Sequence, residues 1–122
     1  MFFPEINKSK RLLHLMLIGV VHRPELEQAY GEVVSLVADL PAGFHVLTDL
    51  THLESMDTDC EAEIARVMEL CARKGIESVV RVIPEPQKDI GFNILSAFHY
   101  PRDVRVTTWP SLEQALQTLF TR

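Results

Sequence analysis

Between Pro24 and Leu40 the apolar residues are Leu26, Ala29, Tyr30, Val33, Leu36, Val37 and Leu40. Steps of three and four place them on one stripe of a helix. Pro24 suits the first turn, where its missing N–H costs nothing, and Glu25 and Glu27 complement the positive helix start. Pro41 and Gly43 end it. A second helix is predicted near Cys60 to Lys74, with Cys60, Ile64, Val67, Met68 and Cys71 on its apolar face. Asp57, Asp59, Glu61 and Glu63 crowd its start, and Arg73 and Lys74 stand at its end, matching the helix dipole. Thr58 and Glu61 fit a capping box with Thr58 as N-cap, and Gly75 supplies the left-handed residue after the last turn. A third helix is predicted over Gln87 to Phe98, with Ile90, Ile94, Ala97 and Phe98 inward. A fourth runs from about Pro110 to Phe120, where Leu112, Ala115, Leu116, Leu119 and Phe120 keep helical spacing.

Between the helices lie β-rich runs at Leu12–Ile18, His45–Leu50, Ser78–Ile83 and Val104–Thr108. Each connection crosses over a helix, so these strands are expected to lie parallel in one sheet. Phe2–Asn7 adds an antiparallel edge strand through a turn at Asn7–Lys10. The prediction is an α/β fold with a four- to five-stranded, mostly parallel sheet and about four helices. His14, His45, Arg81 and Arg105 interrupt the strands, whereas a parallel sheet covered on both faces reads as a nearly continuous apolar run. Helices are therefore expected mainly on one face. The other is expected to be partly open, or used in association such as a homodimer.

The chain of 122 residues has the length of one domain, residues 1–122. Its hydrophobic share of 47% excludes a disordered chain, and a net charge of −5 argues against nucleic acid and anionic membrane surfaces. The longest apolar stretch, Leu12 to Val21, is interrupted by His14 and is half the ~20 residues a membrane span needs. No small-x-small cleavage site follows it, so the cytoplasm is the expected compartment. Cys60 and Cys71 fall on one face of one predicted helix, about 16 Å apart along it, beyond disulfide reach. They are read as core thiols.

Missing motifs narrow the function. The first parallel strand ends in Gly19-Val20-Val21-His22, without the acidic pair of a response-regulator receiver domain. No G-x-G-x-x-G or G-x-x-x-x-G-K-[ST] cradles a phosphate, no C-x-x-C offers redox chemistry and no G-x-S-x-G elbow holds a nucleophile. No enzyme activity and no cofactor are expected. Attention falls on the carboxyl edge of the sheet, where parallel α/β proteins place their sites. That edge carries His22, then Asp49 and His52, then the Ser55–Asp59 turn, then Pro84-Glu85-Pro86. Imidazole and carboxylate from His22, His52, Asp49 and Asp57 suit zinc or manganese. No ligand pair stands at i, i+3 or i, i+4, so the expectation is solvated loop histidines and no metal.

The segment Phe44–Cys60, with its hydrophobic strand, Asp49-Leu50-Thr51 and Asp57-Thr58-Asp59-Cys60 opening a helix, resembles the central signature of STAS domains. Ile83-Pro84-Glu85-Pro86 is similar to that family's strand-to-helix turn, and Trp109 to Leu116 to its closing helix. The family comprises bacterial anti-sigma-factor antagonists and their relatives in transporters. The resemblance covers about residues 11–120. It implies a βα superhelix with helices on one side of the sheet and a non-enzymatic regulatory or protein-interaction role. The implied partner is an anti-sigma factor or related regulator, and Asp57, Thr58, Asp59 and Cys60 are the implied contact surface. Asp49 is then the structural acid of the preceding turn, holding backbone N–H groups. In the antagonists the second Ser of Asp-Ser-Ser-Gly is phosphorylated. Here Asp59 fills that slot, Thr58 replaces the first Ser and is the fallback acceptor, and Cys60 replaces the Gly. The serine switch is not expected to survive. The alternative reading is a small-ligand or lipid-binding module of the same fold.

Overall fold

Leu13, Val46, Val79 and Val106 lie side by side across four parallel strands of the computed structural model, which describes residues 1–83, 100 and 103–120. The strands are β2 (Leu12–Leu17), β4 (His45–Asp49), β6 (Ser78–Val82) and β7 (Arg105–Trp109). On the outside of β2, the edge strand β1 (Phe2–Asn7) pairs antiparallel, as its turn at Asn7–Lys10 predicts, giving the order β1-β2-β4-β6-β7. Paired residues share a face, so the valine row and its neighbours Leu15 and Ile6 all point one way.

That inner face is covered by α1 (Arg23–Ala38) and α2 (Cys60–Arg73). Val33 and Val37 of α1 and Val67, Leu70 and Cys71 of α2 close over Leu13, Val46 and Val79. The outer face carries Leu12, Leu47, Val80 and Val82, which pack on α3 (Leu112–Phe120) through Ala115. Among the described residues there are thus three helices rather than about four, two inside and one outside. The helix expected over Gln87–Phe98 lies outside the described residues. Because α3 occupies part of the outer face, that face is less open than the polar strand residues imply. Arg81 also departs from expectation. It is 1% exposed and points to the inner face, where it lines a small cavity with Leu15, Ile64, Met68 and Tyr100.

The first parallel strand is shorter than the run Leu12–Ile18 suggests. Gly19 takes a left-handed φ of +69° and donates its N–H to the His52 carbonyl at 2.8 Å. The chain then leaves the main sheet. Gly19–Val21 forms β3, which pairs in parallel with β5 (Leu53–Met56) in a separate two-stranded sheet. Val21, Leu50, Leu53, Cys60 and Met68 gather a second core beneath it.

Helix α1 begins at the N-cap His22, whose backbone N–H donates to the Glu25 carboxylate at 3.2 Å, and Pro24 sits in its first turn. Helix α2 ends where Gly75 adopts φ +88°, with its Cα beside Ala42. A Cβ there would stand 3.0 Å from the Ala42 Cβ. Gly31, by contrast, lies on the exposed side of α1 with open space around it. Gly75→Ala is expected to cost about 1–2 kcal/mol from the left-handed backbone, and Gly31→Ala to add about 0.5–1 kcal/mol. Paired urea melts of the two variants check both signs.

Candidate functional site

The small sheet decides what meets at the carboxyl edge. β3 ends at Val21 and β5 at Met56, and the Asp57 N–H donates to the Val21 carbonyl at 3.2 Å. This contact places the starts of α1 and α2 next to each other. His22 Nδ1 then lies 2.8 Å from Asp57 Oδ2, with both side chains about half exposed. The hydrogen bond to Asp57, and after it the Asp57 charge, raise the His22 pKa above its usual 6.5.

Asp57, Thr58 and Asp59 are exposed on the turn into α2. The turn is closed by backbone rather than side chain. Cys60 N–H donates to the Asp57 carbonyl at 3.0 Å, and Glu61 N–H to the Thr58 carbonyl at 3.3 Å. Thr58 is not the N-cap; that position is Asp59, whose φ of −72° and ψ of −7° are already helical, and α2 has no side-chain cap. A capping oxygen needs the extended backbone that His22 has and Asp59 lacks. Nor is Cys60 part of the surface: it is fully buried, with its Sγ 3.7 Å from the Val21 carbonyl oxygen. Burial, and then Asp59 and Asp57, push its thiol pKa up, which disfavours the nucleophilic thiolate. Cys71 is buried as well, and desolvation pushes it up to about 12.

Asp49 is buried at the end of β4, where one carboxylate oxygen accepts the Thr51 N–H at 2.9 Å and the Thr51 hydroxyl. It shapes the turn between β4 and β5 and does not reach the α2 start as a ligand. His52 is exposed. Of the four residues considered for a metal, His22 and Asp57 come together, and no group of three His, Cys, Asp or Glu able to hold an ion forms among the described residues.

A charge network missing from the sequence reading braces the two helices. Glu63 is buried, yet its carboxylate lies 3.6 Å from Arg23 Nε of α1 and 3.1 Å from Arg66 Nη1 on its own helix. Arg23 also contacts Glu27 at 2.7 Å, and the Arg66 guanidinium lies 4.0 Å over the Tyr30 ring. The i, i+3 spacing of Glu63 and Arg66 was visible, but the crossing to Arg23 depends on how the helices pack. The outward charge is acidic, from Asp57, Asp59, Glu54 and Glu61. Among the described residues no helix is long and apolar enough to cross a membrane.

No family model and no curated protein matches the sequence. Solved structures do match. An uncharacterized protein of the DUF3478 family with a SpoIIAA-like fold, from Shewanella loihica PV-4, aligns with a TM-score of 0.73 at 14% identity over 98% of this chain and 92% of that one. The anti-sigma factor antagonist SpoIIAA in its unphosphorylated form aligns at 0.65 with 16% identity, over 98% and 97% of the two chains. An anti-sigma factor antagonist from Mycobacterium paratuberculosis aligns at 0.60 with 23% identity, over 98% and 92%. These likenesses establish a SpoIIAA-like, STAS-type fold.

The raised His22 pKa has a definite linkage sign. A group whose folded pKa exceeds its unfolded value contributes stability that is full below the unfolded value, near 6.5 for His22, and is lost as pH rises through the folded one. NMR titration is expected to find the His22 ring titrating above 6.5, and Asp57→Asn to bring it back toward that value.

Proposed function

We infer that this chain is a non-enzymatic regulatory domain of the cytoplasm that holds a protein partner, an anti-sigma factor or a related regulator, against the exposed start of α2. The observation that supports this reading is the Asp57-Thr58-Asp59 turn. It is exposed and clasped to the start of α1 by His22, on a fold it shares with anti-sigma factor antagonists. Backbone hydrogen bonds hold the turn, so Thr58 and Asp59 face outward, and Asp57, bonded to His22, is still half exposed. Their acidity suits a partner with a basic contact patch, since complementary charge steers encounter and selects against wrong partners.

Asp59 gives that surface a permanent charge and has no hydroxyl for a stable phosphate ester. Thr58 is exposed and carries no capping bond, so its hydroxyl is accessible, but a phosphate there would sit between the Asp57 and Asp59 carboxylates. The chain is therefore read as constitutively competent for its partner rather than switched by a kinase. Protein isolated from its native cell is expected to show the unmodified intact mass. Stoichiometric phosphothreonine at Thr58 would restore the switch instead.

Variants separate the binding role from a structural one. With no cap bond to lose, Thr58→Ala is expected to change stability by less than about 0.5 kcal/mol, and Asp59→Asn by no more than the ~0.3–1 kcal/mol of a dipole contact. Asp59→Asn is expected to weaken capture of the partner by about tenfold while the melting temperature stays nearly unchanged, a disparity that folding alone would not produce. Thermal melts and pull-downs on the same samples check it. Capture that tracks melting in both variants would reduce the turn to a structural element.

A further inference from the structure

A second feature lies at the opposite end of the sheet from the α2 start. A cavity of about 360 Å³ opens on the outer face at the amino ends of β4, β6 and β7, under the last turn of α3. Its floor includes Val80, its roof Leu119 and Phe120, and its rim the turn at Ser9–Arg11. This volume falls in the range of about 300–1,000 Å³ typical of small-molecule sites.

The charge around it is distinctive. Lys10, Arg11 and Arg105 all line the cavity, in a chain whose net charge is −5. Among the described residues neither Arg11 nor Arg105 has a carboxylate within ion-pair distance, although acids outnumber bases in the sequence by 17 to 12. Lys10 is held with its Nζ 4.0 Å from the centroid of the Phe120 ring. The one acid in the lining, Glu77, is directed at a neighbour: His45 Nε2 lies 3.4 Å from its carboxylate, while His45 Nδ1 lies 2.6 Å from the Ser78 hydroxyl. Thr107 adds a hydroxyl that accepts the Trp109 indole N–H at 3.2 Å, whereas the Thr118 hydroxyl donates to the Gln114 carbonyl at 3.1 Å.

Arg11 also has an unusual backbone. It is the one non-glycine with a left-handed φ, +51°, among the described residues. Asn7 shapes the preceding turn by accepting the Ser9 hydroxyl at 2.9 Å and the Lys10 N–H at 3.2 Å, and the Arg11 carbonyl accepts the His45 N–H at 2.8 Å. Glycine or asparagine would take that conformation with less strain.

We propose that this cavity is a binding site for a small phosphomonoester, with Arg11 and Arg105 holding the phosphate and the Glu77–His45–Ser78 chain facing the hydroxyl-bearing organic part. Planar guanidinium groups match phosphate oxygens with two parallel hydrogen bonds each, and the Thr107 hydroxyl, which accepts the Trp109 indole N–H, keeps its own proton to donate to the dianion. Val80 and Leu119 provide the apolar surface for the carbon skeleton. The site is separated from the partner surface by the length of the strands, so either assignment can fail without the other.

The test titrates the ¹⁵N-labelled full chain with ribose 5-phosphate, and in parallel with ribose and with succinate. Ribose 5-phosphate is expected to give saturable amide shifts confined to Ser9–Arg11, Ser78, Arg105–Thr107 and Thr118–Phe120, with ribose giving none and succinate binding more weakly. Arg105→Gln and Arg11→Gln are each expected to weaken binding about tenfold or more while leaving the rest of the spectrum folded, and Arg105→Lys to recover part of the loss. Absence of saturable shifts, shifts outside the cavity, equal affinity in Arg105→Gln, or tighter binding of succinate would each overturn the proposal.

Discussion

Burying the row Leu13, Val46, Val79 and Val106 against α1 and α2 is the constraint to which the rest of the chain is fitted. A shift of one residue in any of these strands would turn its apolar set to the wrong face, so the parallel register is held by the core itself. The register in turn fixes both ends of the sheet. At the carboxyl ends, Leu17 and Asp49 hand the chain to β3 and β5, and these deliver His22 and Asp57 to within 2.8 Å of each other. At the amino ends the same register lines up Leu12, His45, Ser78 and Arg105, so that His45 and Ser78 meet at 2.6 Å. One packing requirement thus generates two separate chemical settings.

Much of this was legible because it depends on short-range pattern. The stripe of α1, the apolar face of α2, the left-handed Gly75 and the antiparallel β1 all follow from spacing or from a residue's own backbone preference. What escaped depends on contacts distant in sequence. β3 and β5 are three and four residues long, too short for alternation to show, and they exist because each completes the other. Arg81 reads as a residue reaching out to solvent, yet the pleat turns it inward beside Tyr100. Thr58 has the right spacing to Glu61 for a capping box, but pairing of Asp57 with Val21 winds the chain into a tight turn first and moves the N-cap to Asp59. The acidic turn was singled out from sequence; its clasp by His22 and the brace from Glu63 to Arg23 were not.

The absence of a side-chain cap on α2 bears on what the turn is for. A Ser, Thr, Asp or Asn cap contributes about 0.5–2 kcal/mol, and the sequence supplies three such residues at 57–59 without using any of them in that way. Asp57 spends its carboxylate on His22, a partially exposed contact that fixes one helix start against another. Thr58 and Asp59 face water. A chain selected for stability alone would gain by placing Thr58 in extended backbone one residue before the first helical turn. The arrangement instead forgoes that stabilisation and holds the turn by main-chain hydrogen bonds, with Thr58 and Asp59 exposed.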